Sequence, residues 1–97
     1  MRTINANTIR DTVSQLCIQA NTHLPADVVA ALKKSQQTEP WPLAQSTLGL
    51  LQDNLAAAQS RSLPICQDTG MACVFLELGQ DVHIDGDLEY AIHEGVR

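Results

Sequence analysis

The stretch Pro64-Ile65-Cys66-Gln67-Asp68-Thr69-Gly70-Met71-Ala72-Cys73-Val74-Phe75-Leu76 divides the chain in two. Its first half sets a thiol, an amide, a carboxylate and a hydroxyl in succession and closes on glycine, the make-up of a polar turn. Its second half, Met71 to Leu76, is apolar without alternation, the pattern of a strand covered on both faces. Pro64 bars a helix from running into either.

Upstream the pattern is helical. Ile9, Val13, Leu16, Cys17 and Ala20 recur at helical spacing, with Asn7 or Thr8 as the cap. Pro25 is placed to open a second helix over roughly 26–36, with Asp27 in its first turn. That helix buries Val28, Val29 and Leu32 and leaves Lys33 and Lys34 in water. A third helix, about 41–60, carries the stripe Leu43, Thr47, Leu50, Leu51, Leu55 and Ala58 and ends at Ser60-Arg61-Ser62. Gly49 inside it costs about 1 kcal/mol relative to alanine. Trp41, between Pro40 and Pro42, staples the entry of this helix or meets a partner surface.

Downstream, Gly79-Gln80-Asp81 reads as a turn, and Val82 and Ile84 alternate with His83 as a short second strand. Asp85-Gly86-Asp87 caps a fourth helix with the stripe Leu88, Ala91, Ile92 and Val96, still in phase at Arg97. The expected class is α+β, dominated by helix: three N-terminal helices, one or two strands and a truncated fourth helix.

Ninety-seven residues make one small domain. The apolar fraction is 44% and rules out a disordered tail, while charged residues, at 18%, leave surface that expects to be covered. The net charge of −5 is uneven, about +1 over residues 1–48 and −6 over 49–97. Such a balance excludes nucleic acid and an anionic membrane as partners, because both need clustered Lys and Arg. No run approaches a membrane span, and MRTINANTIRD has no signal-peptide core, so cytoplasm is the expected compartment. Cys17, Cys66 and Cys73 form no framework and no Cys/His quartet, against a disulfide scaffold or structural zinc.

A strand of the Met71–Leu76 kind needs neighbours, and two strands do not make an independently stable sheet. The acids from Glu77 to Glu94 have no Lys or Arg among them. The expectation is an N-terminal piece of a larger subunit, with residues 1–62 helical and 63–97 carrying the motif; the rival is a small helical domain with a frayed end.

Chemistry concentrates at Cys66-Gln67-Asp68-Thr69-Gly70. A Cys66 thiolate is a soft ligand suited to iron or an iron–sulfur cluster. Gln67 offers donor and acceptor to a carboxylate or hydroxyl. Gly70 allows a tight turn or close approach of a ligand. On these residues alone, a polar turn with a buried thiol explains the string more readily than a site does.

The segment Pro64–Gly70, with Leu78-Gly79-Gln80-Asp81-Val82-His83-Ile84, Gly86-Asp87-Leu88 and Ala91-Ile92-His93-Glu94-Gly95-Val96-Arg97, resembles the class I fumarate hydratase family. The match is to the α subunit or N-terminal half of these iron–sulfur hydro-lyases, which include L(+)-tartrate dehydratase. It is specific over 63–97 and a matching order of helices over 1–62. Gln80–Ile84 and Glu94–Arg97 look more like fumarase than tartrate dehydratase. The resemblance implies a [4Fe–4S] cluster on three cysteines, one iron left open to bind a hydroxydicarboxylate substrate, and interconversion of malate and fumarate or dehydration of tartrate. It implies Cys66 as a cluster ligand, Gln67 as a substrate contact, Asp68 as a substrate-binding acid/base group, and Thr69 and Gly70 as loop-shaping residues. The other two cluster cysteines belong beyond Arg97, for Cys17 lies on a helix stripe and Cys73 in the apolar run. The expectation is that this chain alone carries no cluster and no activity. The rest of the subunit, a β subunit or C-terminal domain, and a homo-oligomer complete it.

Other motifs carry less. His93-Glu94-Gly95-Val96-Arg97 has arginine where HExxH needs its second histidine, so His93 pairs with Glu89 instead. His23 favours the end of the first helix, and His83 faces solvent or a site. The rival function is a non-enzymatic cytoplasmic helical module that binds a protein partner through its uncovered strand and last helix.

Overall fold

The computed structural model describes residues 1–67 and 70–97, and the chain divides into two units, 1–19 with 70–97 and 20–69. In the first unit, β1 (Arg2–Asn5) lies parallel to β2 (Val82–Asp85), with Ile4 opposite Ile84 and Asn5 opposite Asp85. Each strand feeds a helix. β1 runs into α1 (Ala6–Thr22), whose last residues belong to the other unit, and the Asn5 Oδ1 accepts from the Asn7 N–H at 2.8 Å. Asn5 is therefore the cap, two residues ahead of the expected Asn7 or Thr8. β2 runs through Gly86 and Asp87 into α4 (Leu88–Val96), where the Asp87 Oδ1 accepts from the Tyr90 N–H at 3.0 Å.

Two glycines allow these strand–helix steps to lie side by side. Gly86 sits at φ +115°, where side-chained residues are strained, and a Cβ there would come within 2.7 Å of the Ala6 Cβ. Gly95 brings the α4 backbone against α1: its Cβ would stand 2.6 Å from the Arg10 carbonyl oxygen and 2.7 Å from the Val13 Cβ. Small residues thus form the contact, with Ala6, Val13, Ala91 and Gly95 buried. The expected α4 stripe holds for Leu88, Ala91 and Ile92, but Val96 is exposed and Gly95 takes its place.

The apolar run is where expectation and structure part. Residues 71–79 form neither strand nor helix, with Met71 85% and Phe75 94% exposed. Cys73, expected to pack between layers, is exposed as well. The reason is a missing partner: the sheet consists of β1 and β2, and no described strand lies beside this run.

The second unit is a helical hairpin. α2 (Ala26–Thr38) starts from Pro25 as its N-cap rather than its first helical residue, and α3 (Pro42–Arg61) runs unbroken through Gly49. Side-chain amides join them: the Gln52 Nε2 donates to the Gln36 Oε1 at 2.8 Å, and the Gln36 Nε2 donates to the Gln45 carbonyl at 3.2 Å. On α2, Val29 and Leu32 are half-buried while Val28 is exposed. On α3, Ala58 is buried and Ala44, Leu48, Gln52 and Leu55 are half-buried. Leu43, Leu50 and Leu51, placed on the expected stripe, are 61%, 67% and 46% exposed. The leucines outnumber what one partner helix covers, so the stripe splits into a packed face and an open one. Trp41 is the N-cap of α3 itself and 60% exposed, so it does not staple the helix entry. Ser62 turns left-handed at φ 53°, and its N–H and that of Leu63 both reach the Ala58 carbonyl, ending α3 as expected.

Candidate functional site

The bend that carries Cys66 is anchored one residue upstream. The Ile65 N–H donates to the Asn21 carbonyl at 2.7 Å, at the end of α1, and the Ile65 carbonyl accepts from the Asn54 Nδ2 of α3 at 2.8 Å. Both backbone groups of one residue are thereby fixed, and Ile65 is half-buried while Cys66 and Gln67 are exposed. A residue held at both its N–H and its C=O sets the exit direction of the chain, which presents the next side chain to solvent. The Cys66 thiol is exposed rather than buried.

Asp68 and Thr69 lie outside the described residues. Apart from its own chain neighbours, Gly70 has no described atom within 4 Å of where a Cβ would stand. Among the described residues, no three of His, Cys, Asp and Glu are grouped so as to hold a metal ion. No disulfide joins Cys17, Cys66 and Cys73; Cys17 is half-buried in α1, beside the stripe of Ile9 and Val13. Measured against a cluster that needs three thiolates, these residues fit one corner of the donor set and no more.

Asn54 and Asn21 were not visible as site residues in the sequence. For Asn54 the one signal was asparagine inside a helix, where its side chain competes with the backbone and so favours a partner elsewhere; Asn21 acts through its backbone carbonyl, which carries no residue-type signal.

Among the described residues, two recesses lie apart from the bend. One, of about 290 Å³, lies where α1 and α4 begin and is lined by Asn5, Arg10, Asp85, Asp87, Tyr90 and Glu94 among others. Its acids are partly committed, since Asp87 caps α4 and the Glu94 Oε1 is 3.5 Å from the Arg97 Nη1. The other, of about 300 Å³, is lined by Thr22, His23, Lys33, Gln52 and Leu55 with their neighbours. There the Thr22 Oγ1 and the His23 Nδ1 are 2.8 Å apart, so His23 engages a side chain beside the helix end. Neither recess includes Cys66 or Gln67. His93 stands 3.6 Å from Glu89, as expected, and His83 is exposed.

Among the described residues no helix is long and apolar enough to cross a membrane. Residues 10–97 match the family model described as fumarate hydratase (Fumerase). A Methanocaldococcus jannaschii protein named "Putative L(+)-tartrate dehydratase subunit alpha" is 33% identical over 91 residues, covering 92% of this chain and 32% of that protein. The L(+)-tartrate dehydratase subunit alpha of Escherichia coli K12 is 27% identical over 90 residues, covering 93% of this chain and 30% of its own length. That of Shigella boydii serotype 4 matches to the same extent. The chain therefore spans about a third of the curated relatives it matches. No solved structure matches.

Proposed function

Because the chain belongs to the fumarate hydratase (Fumerase) family, we propose that it is the N-terminal third of an iron–sulfur hydro-lyase α subunit acting on a small hydroxydicarboxylate. The reaction is addition of water to fumarate or removal of water from L(+)-tartrate. Residues 1–97 form part of one catalytic domain, whose motif segment is 63–97. The observation that carries this reading is the exposed Cys66 on a bend whose preceding residue is fixed at both backbone groups.

Cys66 supplies one thiolate ligand to a [4Fe–4S] cluster, with the other ligands in the part of the subunit outside this chain. When bound, the cluster supplies Lewis acidity, which the departure of hydroxide from a hydroxy acid needs. Gln67, exposed beside the thiol, donates through its amide N–H to a substrate carboxylate and accepts from a hydroxyl through its carbonyl. Asp68 binds the substrate and moves the proton, and Thr69 and Gly70 shape the loop. The open space at Gly70 suits close approach of a ligand.

The compartment is the cytoplasm, where thiols stay reduced. The native assembly includes the rest of the subunit and a β subunit or C-terminal domain, and forms a homo-oligomer. The exposed apolar surface that would favour a helical interaction module is accounted for by that remainder.

Reconstitution with ferrous iron and sulfide tests the reading. The chain alone forms no cluster absorbance and turns over neither fumarate nor tartrate. Joined to the remaining two thirds of an α subunit and its β partner, it gains both. Cluster and turnover in the chain alone, or their absence from the completed assembly, would overturn it.

A further inference from the structure

The run Met71-Ala72-Cys73-Val74-Phe75-Leu76-Glu77-Leu78 combines features that do not belong together on a finished surface. Its side chains are apolar at successive positions, yet Met71, Phe75, Leu76 and Leu78 are 85%, 94%, 49% and 50% exposed. Among the described residues, no backbone–backbone hydrogen bond involves residues 71–78. The same unit holds a parallel sheet of two strands, an arrangement normally found inside larger sheets covered on both faces.

Charge narrows the choice of what covers it. From Ser62 to Val96 there is no Lys or Arg. The described ion pairs are Arg10–Asp11, His93–Glu89 and Arg97–Glu94, which leave Glu77, Asp81 and Asp85 without a cation. A second copy would bring its own Glu77 to the same run, and like charges facing each other across strands oppose pairing. The chain spans about a third of its relatives' length, so the bulk of such a subunit lies outside it.

We propose that Met71–Leu78 is a docking edge that becomes a strand on pairing with a Lys- or Arg-flanked apolar strand from the remaining two thirds of the same subunit. This rests on the family reading but not on the cluster. Both faces of the new strand are then covered, and its amides gain partners.

The test is hydrogen exchange of residues 71–78, in the chain alone and in the chain co-expressed with the remaining two thirds of the Methanocaldococcus jannaschii relative. A covalent chimera of the two pieces removes any dependence on affinity. Alone, the chain sediments as a monomer and these amides exchange without protection. In the complex or chimera they slow by at least ~10²-fold, as paired strands do. Phe75→Asp and Glu77→Lys, both at exposed positions, weaken capture, and added salt weakens it further. Fast exchange of 71–78 in both complex and chimera overturns the proposal. So does protection in the chain alone that rises with concentration, which would make a second copy the occupant. Cys66→Ser leaves capture and protection intact, so a failure of the cluster assignment is read separately.

Discussion

Asn54 donates its side-chain N–H to the carbonyl of Ile65 at 2.8 Å, one residue ahead of Cys66. A helix that the sequence marks only by apolar spacing thereby positions the bend that bears the thiol. The hydrogen bond is made by an exposed asparagine, and its net value is about 1 kcal/mol. Asn54→Ala lowers stability by roughly that amount, and Asn54→Asp does the same because a carboxylate cannot donate. Urea unfolding checks the size of the loss, and exchange of the Ile65 and Cys66 amides checks that the bend has loosened.

The glycines of the first unit separate space from flexibility. Gly95→Ala drives a methyl against the Arg10 carbonyl and Val13, and Gly86→Ala combines a close contact at Ala6 with a positive φ. Each costs on the order of 1–3 kcal/mol. Gly70→Ala, in open space, changes chain stability by less than about 0.5 kcal/mol. Thermal unfolding of the three variants checks the ranking.

Two polar caps launch the paired strand–helix steps. Asn5→Ala and Asp87→Ala each remove the acceptor for a first-turn N–H and lower stability by about 1 kcal/mol. Helix content by circular dichroism falls with them, and Asp87→Asn retains most of the cap.

Helix order was legible in the sequence, because 3.6-residue periodicity and proline punctuation are local signals. α2, α3 and α4 fall where the spacing places them. β1 was not legible: Arg2–Asn5 is four residues long and its partner, Val82–Asp85, lies at the other end of the chain. The cap at Asn5 was missed with it, since the helix start follows from where the strand ends. Burial was the weakest inference. Leu43 and Leu50 share the periodicity of Leu55, but period alone does not tell a covered face from one waiting for cover. The same limit governs Met71–Leu76, whose composition announces a buried strand while this chain provides no neighbour. At the site, Cys66 was legible by residue type, whereas its support from Asn21 and Asn54 depends on tertiary contacts.

Cys66→Ser tests the account most directly. The side chain is exposed, so the substitution shifts stability of the chain by less than about 0.5 kcal/mol. The decisive measurement is visible absorbance and electron paramagnetic resonance of the reconstituted chimera with its β partner, wild type against Cys66→Ser. An iron–sulfur signal with fumarate or tartrate turnover in the wild type, both lost in the variant, is the predicted result. An undiminished cluster signal in Cys66→Ser would contradict the assignment of this thiolate to iron.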